Sequence, residues 1–361
     1  MRIISYKETI NQNQPDIMKK ITKLFMAIGL FVAAAGFIFS GCTKEGPQGP
    51  SGTNAAATCQ ECHNFSDTIV AKFFQYDASQ HATGSTTIRA TSNICAPCHS
   101  SQGFTETVTT GAFNTLAGIN NAAPINCRTC HQIHRTYTSA DWSLATTAAY
   151  RMRYDSTVTV HFTANGGSAN LCGRCHQARV ASPALTKPSS NTDSISILNN
   201  RWGPHHGPQS NILAGKGAYN DEAFGNSPHK DTAACIVCHG GYAQGNIVGG
   251  HTLKMTSTET GDNIAVCNRT GCHNGATSFN IGGAQTTISG LYQQLKVKLT
   301  TFNMLDTTTM TIKPNKYAQA DLAVFWNFML IDADRSMGVH NYQYTHDLLQ
   351  AGIDHFITKG Y

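Results

Sequence analysis

The feature that most constrains this chain is a repeated pattern of two cysteines followed directly by a histidine. Five copies have two residues between the cysteines, and a sixth copy has four. With 13 cysteines and 16 histidines in 361 residues, chance would produce far fewer than one such pentapeptide. The six copies use every cysteine except Cys42, and they are Cys59-Gln-Glu-Cys62-His63, Cys95-Ala-Pro-Cys98-His99, Cys127-Arg-Thr-Cys130-His131, Cys172-Gly-Arg-Cys175-His176, Cys235-Ile-Val-Cys238-His239 and Cys267-Asn-Arg-Thr-Gly-Cys272-His273.

The spacing matches the chemistry of covalent haem attachment. Two thiols reach the two vinyl groups of one porphyrin, and the next residue places an imidazole under the iron as its fifth ligand. We therefore predict six haem c groups, each attached through one cysteine pair. The predicted proximal iron ligands are His63, His99, His131, His176, His239 and His273.

Other uses of paired cysteines do not explain the trailing histidine. Zinc ribbons hold one metal ion with two Cys-x-x-Cys knuckles and need no histidine after each. A thioredoxin-like redox site has one such pair, and disulfides, although plausible in an exported chain, give no reason for the histidine. The longer spacer between Cys267 and Cys272 resembles variants found in small tetrahaem cytochromes.

Histidines outside the motifs decide whether each iron has a second axial ligand or is open to a substrate. His134 follows His131 by three residues, and on a helical turn such positions share a face, so we expect His134 to serve a neighbouring haem. Most other candidates lie in loops rich in glycine, proline or serine, where the backbone can bend towards a haem. The predicted distal ligands are His81, His134, His229, His251, His340 and one of the adjacent His205 and His206.

The remaining histidines are weaker candidates. His161 lies in a segment that alternates like a strand and is a reserve ligand. His346 and His355 belong to a predicted C-terminal helix, and we expect both at the surface. Met255 and Met337 are possible substitutes, which would raise the potential of their haem.

The N-terminus has the composition of a secretory signal. Residues 24–39 are apolar or glycine throughout and follow Lys19, Lys20 and Lys23. Sixteen residues are fewer than the ~18 expected of a membrane-spanning helix, although an uncleaved anchor remains an alternative. A signal that starts at Met18 would have the usual proportions, which makes Met18 an alternative start.

Ser40-Gly41-Cys42 resembles a lipoprotein box, in which the cysteine is diacylated and becomes the mature N-terminus; Phe39 stands where leucine is commoner. We predict a lipid on Cys42 and an exported lipoprotein, periplasmic or at the cell surface, attached to the outer membrane of a bacterium. A Gly/Pro-rich run follows and resembles a flexible tether. The predicted organisation is a signal peptide at 1–41, a lipidated tether at 42–56 and a hexahaem domain at 57–361.

The formal net charge of +5 does not indicate a nucleic-acid partner. A net +3 of it lies before residue 42, and no dense lysine or arginine cluster follows. Six haems would also add two negatively charged propionates each, which would make the mature protein anionic. We therefore expect no nucleic-acid partner.

From Cys59 to the C-terminus the chain resembles the broad family of multihaem c-type cytochromes, which includes nitrite reductases, hydroxylamine-converting enzymes and outer-membrane electron conduits. Beyond the motifs, the resemblance includes the CHxxH of His131 and His134, the loop around His251, and His340 after a long helix. In relatives, histidines in such places are distal ligands. Nitrite reductases of this group usually carry a catalytic haem whose motif ends in lysine, and none of the six motifs does, so no enzymatic activity is carried over.

The resemblance implies a multihaem cytochrome c fold, with mainly short α-helices and long loops wrapped around stacked haems, a helical C-terminus and little β-structure. Residues 318–331 have apolar positions at helical spacing, and we expect the face that carries Trp326 to pack on haem. Residues 42–361 supply about 53 residues per haem, so we also expect the haems to form the interior.

The predicted function is electron transfer along six haems, in an exported respiratory or extracellular pathway. The expected partners are redox proteins, either other cytochromes or quinol-linked donors. Two alternatives remain open. One is a reductase of a small nitrogen or sulfur oxyanion with a five-coordinate haem, and the other is a subunit of a cytochrome filament, against which a lipid anchor argues.

Overall fold

The computed structural model describes residues 63, 66–84, 86–185, 193–219 and 224–361, all within one unit, Ala57–Tyr361. The predicted signal peptide, the tether, Cys42, Cys59 and Cys62 lie outside the described residues. None of the helices in these described ranges is both long enough and apolar enough to cross a membrane.

Helices and loops dominate the described chain, and the strands are short. The α-helices are α1 Asp67–Asp77, α2 Gln80–Thr83, α3 Ala96–His99, α4 Ser101–Thr110, α5 Cys127–Cys130, α6 Ala164–Gly167, α7 Ala169–Gly173, α8 Gln209–Ala214, α9 His229–Thr232, α10 Cys235–His239, α11 Ala284–Thr301, α12 Gln319–Asp334 and α13 Tyr342–Thr358. Short 3₁₀ helices cover Thr86–Thr91, Ser139–Trp142, Gly250–Thr252, Ile264–Val266 and Ile281–Gly283. The predicted mixture of helices and loops with little β-structure agrees with this architecture.

The strands form two-stranded antiparallel ribbons. They are β1 Tyr150–Arg151, β2 Thr159–Val160, β3 Ser194–Ile197, β4 Thr256–Ser257, β5 Gly261–Asp262, β6 Leu305–Asp306, β7 Thr311–Ile312 and β8 Asn315–Ala318. Three ribbons join consecutive strands, whereas β3 pairs with the distant β8. The β3–β8 ribbon therefore ties the middle of the chain to the start of α12.

Short helical turns hold the cysteines of several attachment motifs. In α5 the Asn126 side chain accepts a hydrogen bond from the Arg128 N–H (3.0 Å), and the Thr129 hydroxyl accepts one from the Asn126 N–H (3.0 Å). This capping box fixes the first turn of the helix. Cysteines three positions apart on such a turn lie on the same side, which suits two bonds to one porphyrin.

The C-terminal third forms a core of polypeptide. Helices α11, α12 and α13 have 18, 16 and 17 residues and pack against one another, with Phe325, Phe328 and Phe356 fully buried. Most residues of α12 are buried, and a helix with apolar residues on most of its sides is stable only when it is surrounded. The expectation that the haems form the interior is therefore wrong for this part of the chain.

Trp326 packs against protein rather than on a haem. Its indole N–H donates to the Gly217 carbonyl (2.9 Å), and the rings of Trp202 and Tyr219 meet it edge-on. The expectation that this face packs on haem is therefore wrong. The physical reason is that the segments before and after α8 pack over α12, so that Trp202 and Tyr219 supply the aromatic contacts and Gly217 supplies the hydrogen-bond acceptor that a buried indole needs.

A buried carboxylate joins the start of α12 to the end of α13. Asp321, with a side chain 3% exposed, accepts hydrogen bonds from Lys359 Nζ (2.6 Å) and His355 Nε2 (2.7 Å). The expected surface position of His355 is wrong, because its side chain is only 20% exposed and contacts this carboxylate. His346 is half-buried, and its Nδ1 atom lies 3.1 Å from Asp347 Oδ1, so this side chain is not fully exposed either.

Replacing Asp321 by asparagine should destabilise the C-terminal helices. Burial would raise the pKa of Asp321, but hydrogen bonds from His355 and Lys359 and the Lys359 charge hold it below its usual value. A lowered pKa contributes stability that is present above about pH 4 and is lost as the pH falls further. In denaturant titrations followed by circular dichroism, we expect D321N to lose about 1–3 kcal/mol at neutral pH.

The matched control is Asp354→Asn on the exposed side of α13, where the Asp354 carboxylate accepts from the Gln350 side chain across one helical turn (2.8 Å). That variant should change the unfolding free energy by less than about 0.5 kcal/mol. Equal losses in the two variants would contradict the role assigned to Asp321.

Candidate haem-binding sites

Every histidine that ends an attachment motif faces one histidine from outside the motifs, and none is used twice. The pairs, with the distance between ring centroids, are His63 and His134 (6.1 Å), His99 and His205 (6.3 Å), His131 and His251 (6.2 Å), His176 and His81 (6.1 Å), His239 and His340 (6.3 Å), and His273 and His229 (5.8 Å). We number these pairs as sites 1 to 6, in the order of their attachment motifs.

The ring separations fit an iron ion held from both sides. A bond from metal to imidazole nitrogen is about 2 Å and the ring radius is about 1 Å, so two imidazoles on opposite sides of one metal have centroids ~6 Å apart. The six observed separations run from 5.8 to 6.3 Å. The residues present therefore suit haem with two axial imidazoles.

Three of the distal rings are held neutral by their surroundings. Burial is the main cause in each, and it lowers the pKa values of His81, His205 and His251 to about 4. Because only a neutral imidazole has a free lone pair, these rings are ready to bind a metal at physiological pH.

His131 and His134 lie in two different sites, but not on a helical turn. Helix α5 ends at Cys130, His131 is extended, and His134 has a φ of +62°. The helical geometry expected for this pair is therefore wrong. The turn sends the two rings to different partners, His251 for His131 and His63 for His134.

In the adjacent pair, His205 is the residue that faces a motif histidine. It has a φ of +72°, and its ring lies 6.3 Å from that of His99. The His206 ring lies 5.6 Å from His205, and no described motif histidine pairs with it. The left-handed backbone at His205 separates the two side chains.

The loop that carries His251 lies directly on a neighbouring segment. Gly249 has a φ of +69°, and a Cβ atom there would lie 2.3 Å from the carbonyl oxygens of Gly241 and Tyr242. Only glycine permits both this conformation and this approach. The His251 N–H then donates to the Gln75 side chain of α1 (3.0 Å), which fixes the loop from its other side.

Hydrogen bonds to Nδ1 orient the rings of several ligands. Such a bond leaves Nε2 as the atom that faces the metal and fixes the ring orientation. The Nδ1 acceptors are the Trp142 carbonyl for His131 (2.6 Å), the Val339 carbonyl for His229 (2.7 Å), the Leu253 carbonyl for His239 (2.9 Å), Gln209 Oε1 for His176 (3.0 Å) and Asp334 Oδ1 for His340 (2.6 Å).

Site 4 lies in the middle of the described sites. The Cys98 thiol donates to the Arg174 carbonyl (3.8 Å) and the Cys175 thiol donates to the Pro97 carbonyl (3.8 Å), which brings sites 2 and 4 together. Cys172 and Cys235 are close enough for their side chains to interact, which brings together sites 4 and 5. Cys130 is close enough to Cys172 and Cys175 to interact with both electrostatically, so site 3 also borders site 4.

Sites 1 and 6 lie at the ends of this arrangement. Site 1 borders site 3, because His134 follows His131 in the same turn. Site 6 borders site 5, because Cys238 interacts electrostatically with Cys267 and Cys272. These contacts connect sites 1, 3, 4, 5 and 6 in that order, and they connect site 2 to site 4.

Covalent attachment motifs that each end on a paired imidazole are typical of one class of protein. The chain resembles multihaem c-type cytochromes. No protein-family model and no curated protein matches it. Two solved structures show similarity to this chain, and both are cytochromes by name.

The first of these structures is the outer cell wall cytochrome OcwA, at 20% identity and a TM-score of 0.49, with 79% of this chain and 50% of that chain covered. The second is the undecahaem cytochrome from the S-layer of Carboxydothermus ferrireducens, at 16% identity and a TM-score of 0.43, with 84% and 45% covered. The chain spans about half the length of either cytochrome.

The six histidine pairs do not include the reserve ligands. His161 is exposed just after β2, and Met337 packs against the C-terminal core. Met255 belongs to the loop before β4, where its carbonyl accepts a hydrogen bond from the Asn263 N–H (2.8 Å). The sequence did not predict that Gln75 accepts a hydrogen bond from the His251 loop. A single glutamine on a helix has no sequence pattern that would indicate this contact.

Proposed function

We propose that the chain binds six haem c groups, each with two axial histidines, and passes electrons between them. The observation that carries this proposal is the set of six imidazole pairs at 5.8 to 6.3 Å, one for each attachment motif. The covalent links are assigned to the cysteine pairs, including Cys59 and Cys62, which lie outside the described residues.

The residues of the chain hold each centre in one geometry. A haem with two axial imidazoles supplies an iron that exchanges one electron while keeping both ligands. The peptide contributes the two rings, and Nδ1 hydrogen bonds such as that from His131 to the Trp142 carbonyl keep a ring from rotating. Fixed ligands favour electron transfer, because little has to rearrange when the charge changes.

The arrangement of the sites supports a path with three ends. Electrons would run between site 6 and site 1 through sites 5, 4 and 3, with a side branch from site 4 to site 2. Exposed residues mark two of these ends, His63 at site 1 and Cys272 at site 6. We propose that redox partners, either other cytochromes or quinol-linked donors, meet the protein at such ends.

We further propose an exported lipoprotein with its lipid on Cys42, attached to the outer membrane of a bacterium in the periplasm or at the cell surface. The apolar run at 24–39 and the Ser40-Gly41-Cys42 sequence support this proposal. Intact-mass measurement of protein from a membrane fraction should show a diacylated N-terminal Cys42. An unmodified Cys42 would contradict the anchor but leave the haem sites intact.

The sequence alternatives gain no support from the geometry. A reductase of a small oxyanion needs an iron with one face open, whereas each of the six motif histidines faces a second imidazole. No described contact favours a filament either.

Protein-film voltammetry tests the proposed function. An electron carrier should give reversible signals that do not change when nitrite or sulfite is added. A catalytic reduction current that depends on either anion would contradict the proposal and favour the reductase.

A further inference from the structure

His340 donates its Nδ1 hydrogen to a carboxylate, unlike the other histidines of the six sites with a described Nδ1 bond. The acceptor is Asp334 Oδ1 at 2.6 Å, whereas the acceptors for those other histidines are backbone carbonyls or the amide oxygen of Gln209. The distal ligand of site 5 therefore has a different electrostatic environment.

The fold holds the Asp334 carboxylate in place. Its side chain is 2% exposed, and Oδ2 accepts hydrogen bonds from the Ser336 hydroxyl and the Ser336 N–H (3.3 Å). Helix α12 ends here because Arg335 has a φ of +62°, which turns the chain back on itself. The His340 N–H then donates to the Ser336 hydroxyl oxygen (3.2 Å), so carboxylate and ring belong to one closed turn.

The same helix end supports the neighbouring site through a neutral group. Gln209 accepts from His176 of site 4 through Oε1 (3.0 Å) and donates through Nε2 to the Ala333 carbonyl (3.2 Å). His176 and His340 are close enough to interact electrostatically. Sites 4 and 5 are thus both held by the end of α12. The histidine of site 4 donates to an amide oxygen, whereas that of site 5 donates to a carboxylate.

A carboxylate acceptor changes the electronic properties of a metal-bound histidine. It draws the Nδ1 hydrogen towards itself and makes the ring a stronger donor to the metal. Its negative charge also favours the more positive state of a nearby ion, and burial weakens the screening of that effect. Both effects stabilise ferric over ferrous iron and so lower a reduction potential.

We propose that Asp334 is a positioning residue that lowers the reduction potential of site 5 through its hydrogen bond with His340, so that site 5 is reduced after site 4. This inference rests on the proposed function, because it requires haem at both sites. When one electron moves from site 5 to site 4, one iron is oxidised and the other reduced, and no proton or ligand leaves. Electrons that reach the branch at site 4 are thereby held away from site 6.

The test is a spectroelectrochemical titration of the haem-loaded Asp334→Asn protein. Asparagine keeps an oxygen that accepts from Nδ1 but removes the charge. We expect the equilibrium constant for reduction of one centre to rise about tenfold or more, where each tenfold corresponds to about 59 mV for one electron. The other five centres should keep their potentials, and all six irons should remain low-spin.

Asp332→Asn is the matched control. It removes the same charge two residues earlier on α12, where the Asp332 carboxylate accepts from the Tyr292 hydroxyl (2.6 Å) and contacts no described haem ligand. This variant should leave all six potentials unchanged. Equal shifts in D332N and D334N would overturn the inference, because they would reflect the net charge alone.

A second variant keeps the inference testable if D334N fails to fold or to load haem. Ser336→Ala removes a hydroxyl that competes for the carboxylate, and the potential of the same centre should then fall. If a variant that carries all its haems kept unchanged potentials, the role of Asp334 would be overturned but the proposed function would not. A wild-type protein without six low-spin irons would instead overturn the proposed function.

Discussion

Replacing His205 by glycine should leave one of the six irons with a single axial histidine. The His99 and His205 rings form site 2, so loss of the second ring opens the iron on that side. Glycine also suits the φ of +72° at this position, whereas alanine would add strain. We expect one sixth of the ferric iron to become high-spin and one sixth of the ferrous iron to bind carbon monoxide.

His206→Gly is the matched control, because it removes the adjacent imidazole that faces no described motif histidine. That variant should keep all six irons low-spin and bind no carbon monoxide. Free imidazole added to H205G should restore the low-spin spectrum. The opposite result, in which H206G binds carbon monoxide and H205G keeps all its irons low-spin, would contradict the assignment of site 2.

Replacing Trp326 by alanine should be among the most destabilising single changes in the C-terminal core. The indole is completely buried, touches Trp202 and Tyr219, and donates to the Gly217 carbonyl, which would lose its partner. Large-to-small changes of a buried aromatic cost about 3–5 kcal/mol. We expect a loss of this size in denaturant unfolding followed by circular dichroism.

The control for W326A is Val297→Ala on the exposed side of α11, where Val297 is 62% exposed. It should cost less than about 0.5 kcal/mol. If W326A cost as little as the control and instead changed the haem spectrum, Trp326 would be packing on a porphyrin. That outcome would contradict the polypeptide core around α12.

The candidate ligands could be predicted from the sequence because haem attachment requires particular residue types in a fixed order. What the sequence did not contain is which rings meet. His63 pairs with His134 and His131 with His251, and such pairs depend on how separate loops fold over one another. His134 shows this directly, since its spacing suggested a helix whereas the chain turns at φ +62°.

The C-terminal core was missed because the estimate of residues per haem averaged over the whole chain. No attachment motif follows His273, so the last part of the chain has long stretches free to pack on themselves. Helix α11 carried a usable signal, with buried Ile288, Tyr292, Leu295 and Leu299 at helical spacing. Threonine, glutamine and lysine between these positions keep the segment polar on average and obscure that signal.

The most direct test of six paired-histidine haems is an iron count combined with ferric electron paramagnetic resonance on the purified haem-loaded protein. We predict six irons per chain, none extracted by acidic acetone, and six low-spin ferric centres with two imidazole ligands each. Fewer than six covalently attached haems per chain, or a high-spin centre in the wild-type protein, would contradict the proposal of six haems with paired histidines.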